Sequence, residues 1–138
     1  DTDKFTSFEG NTGPYILYTM VRIKSILRRF LEESGKTMED LGSLQILPSA
    51  GASEKSLGLS LTAFAPSVLQ AGTELAPHKI CGYLYELANQ FNRFYHETKI
   101  LSEPLAAQKE SYIALLSLTL GVLGQGIDLL GFSAPERM

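Results

Sequence analysis

Histidine and cysteine are nearly absent from this chain, and that removes most catalytic chemistries at once. Its 138 residues contain two histidines and one cysteine. Cys81 alone cannot close an internal disulfide, which agrees with a reducing compartment such as the cytoplasm. His78 and His96 are 18 residues apart in one helical pattern, about 27 Å along its axis, so they cannot share a metal ion. His78 and Cys81 stand at i, i+3 with no third group to complete a nucleophilic centre, so a buried, inert thiol is expected. Glu32/Glu33 and Glu39/Asp40 fall in polar sequence and read as solvated charges. Gly10 to Gly13 lacks the lysine and the glycine spacing of a phosphate loop. No segment alternates with period two over a useful length, which argues against a sheet. The longest apolar run, near Tyr112 to Leu123, is interrupted by Ser117, Thr119 and Gly121 and is too short to span a bilayer. There is no signal-peptide pattern at the start. A net charge of −3 excludes a broad basic surface, so any contact with nucleic acid has to be local.

What the chain does have is helical periodicity, in four segments. The first runs from about Gly13 to Ser34, with Asn11 or Thr12 as cap, Pro14 in the first turn and Gly35 to stop it. Ile16, Met20, Ile23, Leu27 and Phe30 recur at three and four on its apolar face. A connection of about 36–53, rich in Gly, Ser and Ala, follows; within it Leu44 to Leu47 could form a short extended piece. The second segment, about Ser53 to Thr73, carries Leu57, Leu61, Phe64 and Val68, and Pro66 should kink or split it. The third starts at Pro77 and ends near Lys99, burying Ile80, Leu84, Leu87, Phe91 and Phe94. Ser102-Glu103-Pro104 opens the fourth, where Ile113, Leu116, Leu120, Leu123, Ile127 and Leu130 repeat and Gly131 sits at the cap position. Gly121, Gly124 and Gly126 weaken that helix and suggest close approach to a neighbour. The prediction is a single all-α domain, a bundle of about four to six helices over residues 1–138, with the long helices around a shared core.

Beside the apolar stripe of the first segment runs a second one: Tyr15, Tyr18, Arg22, Ser25 and Arg29. Two readings are open. The tyrosines seal the core edge and the arginines are solvated, or the stripe is a face for RNA, where rings stack on splayed bases and guanidinium groups meet base edges and phosphates. The cations do gather here, since Arg22, Lys24, Arg28 and Arg29 fall within one helix while Glu32, Glu33, Glu39 and Asp40 come after it.

Phe8-Glu9-Gly10-Asn11-Thr12-Gly13-Pro14-Tyr15, with Tyr18 and Arg22 at their spacing, resembles the start of the C-terminal domain of arginyl-tRNA synthetases. Leu75-Ala76-Pro77-His78-Lys79, Tyr83-Leu84-Tyr85-Glu86-Leu87-Ala88 and Phe91-Asn92-Arg93-Phe94-Tyr95-His96 are similar to the family's long middle helix. Leu129 to Met138 resembles the end of that enzyme. The blocks keep their order and span nearly the whole chain. In that family the unit the chain resembles is called the DALR-type anticodon-binding domain.

The resemblance implies a domain that holds the anticodon loop of arginine tRNAs and helps to recognise the central anticodon cytosine. It places Tyr15, Arg22, Tyr95 and Met138 at that site, with Tyr18 at its periphery and Arg29 as a phosphate contact. Tyr95, next to Phe94, could also be core, and Asn92 reads as an amide that caps or bridges helices. The resemblance further implies a chain that is the end of a longer ligase, without catalytic residues, cofactor or metal of its own. ATP and arginine would bind the catalytic domain upstream, whose His-x-Gly-His and Lys-Met-Ser-Lys signatures are not in this sequence. The partners implied are tRNA and that catalytic domain, with no membrane. This chain departs from the family at Leu17 and Met20, where Gln and His are common, at Leu120, where an arginine is usual, and at Glu110 to Leu115, which replaces the eponymous run. Two other functions are carried forward: a helical protein–protein interaction module, and the equivalent domain of the cysteine or glycine enzyme.

Overall fold

The structure, a computed structural model, describes residues 12–63 and 77–131. Five helices are described: α1 (Gly13–Ser34), α2 (Met38–Leu41), α3 (Ala52–Ala63), α4 (Pro77–Glu97) and α5 (Ala106–Leu129). No strand occurs among the described residues, and the all-α prediction holds. Phe64, Pro66 with its expected kink, Val68, and the ending with Met138 lie outside the described residues, as do Asn11 and the residues before it.

The apolar stripes read from the sequence are the core. Ile16, Met20, Ile23, Leu27 and Phe30 of α1 are buried, together with Ile80, Leu84, Leu87, Phe91 and Phe94 of α4. From α5, Ile113, Leu116, Leu123 and Ile127 join them, while Leu120 and Leu130 pack at the margin. Each such large side chain contributes about 1.5–3 kcal/mol by leaving water. The contacts pair α1 chiefly with α5 and α3 with α4, and α4 also packs on α5 and α1. By length and composition alone α5 could cross a membrane, because its 24 residues extend well beyond the run read from the sequence. Over half of its apolar window is buried in the bundle instead, which makes it the central core helix.

Several helix ends differ from expectation. Thr12 occupies the N-cap of α1 but makes no side-chain cap bond; its backbone is already helical (φ −74°, ψ −39°), not extended as a capping hydroxyl requires. Gly35 does stop the helix, at φ 75°, its amide donating to the Leu31 carbonyl at 3.0 Å. The connection after it holds the short helix α2, started by Thr37, whose amide donates to the Asp40 carboxylate at 2.8 Å. That backbone bond holds the Asp40 carboxyl below the usual carboxylate range. Leu44 to Leu47 forms no strand; the Leu47 amide donates to the buried Ser111 hydroxyl at 2.8 Å and so fastens the connection to α5. Helix α5 begins at Ala106, later than predicted, because Glu103 accepts the Leu105 amide at 3.1 Å in the turn before it.

Of the three glycines in α5, only Gly126 is set by close approach. A β-carbon there would overlap the fully buried Leu84 side chain of α4, whereas at Gly121 it would meet open space. Gly126→Ala is therefore expected to lower stability by about 1–3 kcal/mol through overpacking. Gly121→Ala should raise it by about 0.4–1 kcal/mol by restricting the unfolded chain. Urea unfolding of the two variants side by side checks the opposite signs.

Candidate nucleic-acid interface

Helix periodicity puts Tyr15, Tyr18, Arg22 and Arg29 on one stripe of α1, beside its buried stripe. Helix α4 answers with a stripe of its own. Tyr85, Asn89, Asn92 and His96 recur at four, three and four, flanking the buried row of Leu84, Leu87, Phe91 and Phe94. Where the two stripes meet, the polar groups close into one network.

Asn92 is its centre, only 8% exposed. Its amide nitrogen donates to the Tyr15 hydroxyl at 3.0 Å and to the Thr19 hydroxyl at 2.9 Å. Its carbonyl oxygen accepts from Arg22 Nη1 at 2.6 Å. Tyr15 passes its own proton to Asn89 Oδ1 at 2.7 Å, and Thr19 donates to the Tyr15 carbonyl at 2.9 Å. All the hydrogen-bonding capacity of the buried amide nitrogen is used, as burial demands. The bridging role read for Asn92 is the observed one.

Arg22 is held on three sides. Its guanidinium carbon lies 4.2 Å from the Tyr95 ring centroid and 5.0 Å from that of Tyr18, and Nη2 donates to the Tyr18 hydroxyl at 3.0 Å. Cation–π contacts of this kind contribute about 0.5–2 kcal/mol each. Among the described residues no carboxylate pairs with this half-buried cation. Tyr95 is half-buried and stacks towards Phe91, with ring centroids 6.2 Å apart and the planes inclined by 29°. Tyr18 and Tyr85 stand out from the face, 52% and 45% exposed, and Tyr85 leans on Tyr15 at 5.6 Å between centroids.

The structure thus brings Tyr15, Tyr18, Arg22 and Tyr95 together on one surface. It also redistributes their work. The Tyr15 hydroxyl and one face of Tyr95 are taken up inside the protein, by the asparagines and by Arg22, so Tyr15 anchors the face, while Tyr18, though Arg22 also lies against it, and Tyr85 leave the most ring area exposed. Arg29 is exposed further along α1. Met138 lies outside the described residues. Asn89 and Tyr85 were not among the expected site residues; the four–three–four spacing with Asn92 was the signal that marks them.

The other chemistry-bearing groups form no second cluster among the described residues. His78 and His96 lie near opposite ends of α4. Among the described residues no three His, Cys, Asp or Glu side chains gather as metal ligands would. Cys81 is buried, as expected, and burial pushes its thiol up from the ordinary value.

Bundle and face together define a class: an all-α domain that presents a single arginine among tyrosines where two helices pair. The chain belongs to the DALR anticodon binding domain family, which matches residues 16–138. Relatives include the arginine–tRNA ligase of Agathobacter rectalis, 57% identical over 140 residues, covering the whole chain and 23% of that protein. That of Alkaliphilus oremlandii is 49% identical over 138 residues with the same coverage. The arginyl-tRNA synthetase of Thermus thermophilus superposes with a TM-score of 0.70 at 34% identity, over 96% of this chain and 22% of that one. The resemblance drawn from the sequence holds, and the chain spans less than a quarter of the length of these relatives.

Two outcomes follow from this geometry. Asn92→Ala strands the inward polar atoms of Arg22, Tyr15 and Thr19, and should lower stability by about 1–3 kcal/mol in thermal or urea unfolding; an unchanged midpoint would show that the network carries no net energy. Cys81 gives a pH signature. Its folded-state thiol keeps its proton above the point where an unfolded thiol loses it, about pH 8.5. Its contribution is fully present below that pH and is lost as pH rises through the folded value. Stability should therefore fall as pH rises above about 8.5 more steeply in the parent chain than in Cys81→Ala.

Proposed function

We propose that this chain is the anticodon-loop-binding domain of an arginine–tRNA ligase that works on tRNA in the cytoplasm. The arginylation of tRNA at the expense of ATP would be carried out by a catalytic domain elsewhere in the protein. ATP and arginine belong to that domain; this one supplies recognition and positioning.

One observation carries the reading: the Arg22 guanidinium is fixed between helices, gripped by Asn92 and two tyrosine rings, and no carboxylate among the described residues offsets its charge. An arginine used only for structure is normally paired with an acid when half-buried. This one is paired with neutral groups, which orient the fork and leave the positive charge for a ligand. Its remaining N–H donors suit the O2 and N3 acceptors of cytosine or a phosphate. Tyr18 and Tyr85 give the neighbouring bases ring area, each stack contributing about 1–3 kcal/mol. Met138, which the family resemblance assigns to the same site, is proposed to add apolar side-chain surface to it. The family and the arginine–tRNA ligases among the relatives support the same assignment.

The binding of an isolated anticodon stem-loop tests it. An arginine anticodon loop should bind with salt-sensitive affinity and lose most of it when the central cytosine is replaced. Arg22→Ala should weaken binding by about 1–3 kcal/mol while helical content, followed by circular dichroism, is retained. Equal affinity for unrelated loops would reduce the face to a generic RNA surface.

A further inference from the structure

The hydrogen bonds around Asn92 run in one direction, and Thr19 sets it. Thr19 is fully buried on α1, so no ligand reaches it. Its hydroxyl donates to the Tyr15 carbonyl at 2.9 Å. A backbone carbonyl only accepts, so the single proton of the hydroxyl is used there and its oxygen is left to accept. The group that Asn92 turns towards Thr19 therefore has to be its NH2, at 2.9 Å. The second proton of that nitrogen goes to the Tyr15 hydroxyl at 3.0 Å, whose own proton goes to Asn89 Oδ1 at 2.7 Å. One direction remains for the Asn92 oxygen, towards Arg22 Nη1 at 2.6 Å.

The same chemistry excludes the opposite setting of the amide. With oxygen and nitrogen exchanged, Asn92 would turn an acceptor to the Thr19 lone pairs and donors to a guanidinium that cannot accept. Thr19 makes this choice from inside the bundle, anchored on the backbone of its own helix, and Arg22 is not needed for it. The consequence reaches the surface. Ring faces attract a guanidinium but do not stop it from turning in its own plane. Hydrogen bonds to Asn92 and to the Tyr18 hydroxyl stop it, and Tyr18, at 52% exposure, is the end that can follow a moving partner. The buried amide is the fixed end.

We propose that Thr19 is a positioning residue for recognition at the Arg22 face: its hydroxyl fixes the orientation of the Asn92 amide, and that amide fixes the rotation of the guanidinium that meets the base. The assignment rests on the reading of the Arg22 face as the site of the central base. Selectivity is the property it governs. Cytosine N3 accepts a hydrogen bond where uracil carries a proton, so an N–H held at one angle separates the two bases better than one that turns.

Thr19→Val, which keeps the shape and removes the hydroxyl, is compared with Thr19→Ser, which keeps the hydroxyl. The probes are an arginine anticodon stem-loop and its copy with uracil for the central cytosine. The ratio of the two affinities should fall about fivefold or more in Thr19→Val, the lower end of what one well-aimed pair contributes to base discrimination, and return in Thr19→Ser. A Thr19→Val variant that keeps the parent ratio, or weakens both loops by one factor, overturns the positioning role alone. Arg22→Met gives a second readout that leaves Thr19 in place and needs no RNA. By nitrogen-15 NMR, the Asn92 side-chain NH2 should keep the slow solvent exchange it has in the parent chain, because Thr19 and Tyr15 still hold it. Fast exchange there would mean that Arg22 orders the amide and not the reverse, which overturns the proposal whether or not Thr19→Val folds. A parent chain that binds both loops equally, or neither, overturns the central-base reading and the role of Thr19 with it.

Discussion

One buried amide decides how the two halves of the interface meet. Asn92 is almost sealed from water, and a sealed amide must find partners for its oxygen and both of its protons. It finds them in Arg22, Tyr15 and Thr19, which all come from α1. A shift of α1 along α4 by one turn would separate these groups by about 5 Å and leave several polar atoms unpaired. Apolar side chains alone tolerate such sliding better, because hydrophobic contact has no direction. The network therefore sets the register of two helices whose cores would pack in more than one way, and the site exists only in that register.

Around this node the bundle supplies rigidity. The fully buried rings of Phe91 and Phe94 sit on α4 beside the stripe that faces α1, so that face has a packed backing. On the opposite flank Gly126 of α5 admits Leu84, which draws α4 close to the central helix. Ser111 holds the long connection down by accepting the Leu47 amide. These contacts lie away from the Arg22 face, yet they keep α4 straight and placed. A face built on two helices inherits its precision from that backing.

Charge follows a different logic from packing. The chain is acidic as a whole, so long-range attraction to nucleic acid is weak, and the proposed recognition rests on a few cations held in fixed directions. Arg22 shows how such a cation is kept. Its partners are an amide, a hydroxyl and two ring faces, none of which neutralises it. A carboxylate in the same place would make a stronger pair and a poorer receptor. Arg93 and Glu97 show that alternative one step away, as an exposed ion pair without an evident further use.

The residues themselves determined a good deal. The three-and-four spacing of Ile16 to Phe30, Ile80 to Phe94 and Ile113 to Ile127 was enough for the helices and their buried faces, because a helix brings side chains of that spacing to one side whatever it packs against. Gly35 marked an end for the same local reason, a left-handed backbone that favours glycine. The stripe of Tyr15, Tyr18, Arg22 and Arg29 was visible, and the family resemblance added Tyr95. What the sequence could not contain was the partner of each polar group: that the Tyr15 hydroxyl turns inward to Asn89, that Arg22 covers Tyr95, and that Thr12 stays uncapped. Each of these depends on groups some 70 positions apart or on the competition between one hydrogen bond and another. Local pattern specifies which face of a helix is buried; only the packing of one helix on another specifies which atoms are left free to meet a ligand.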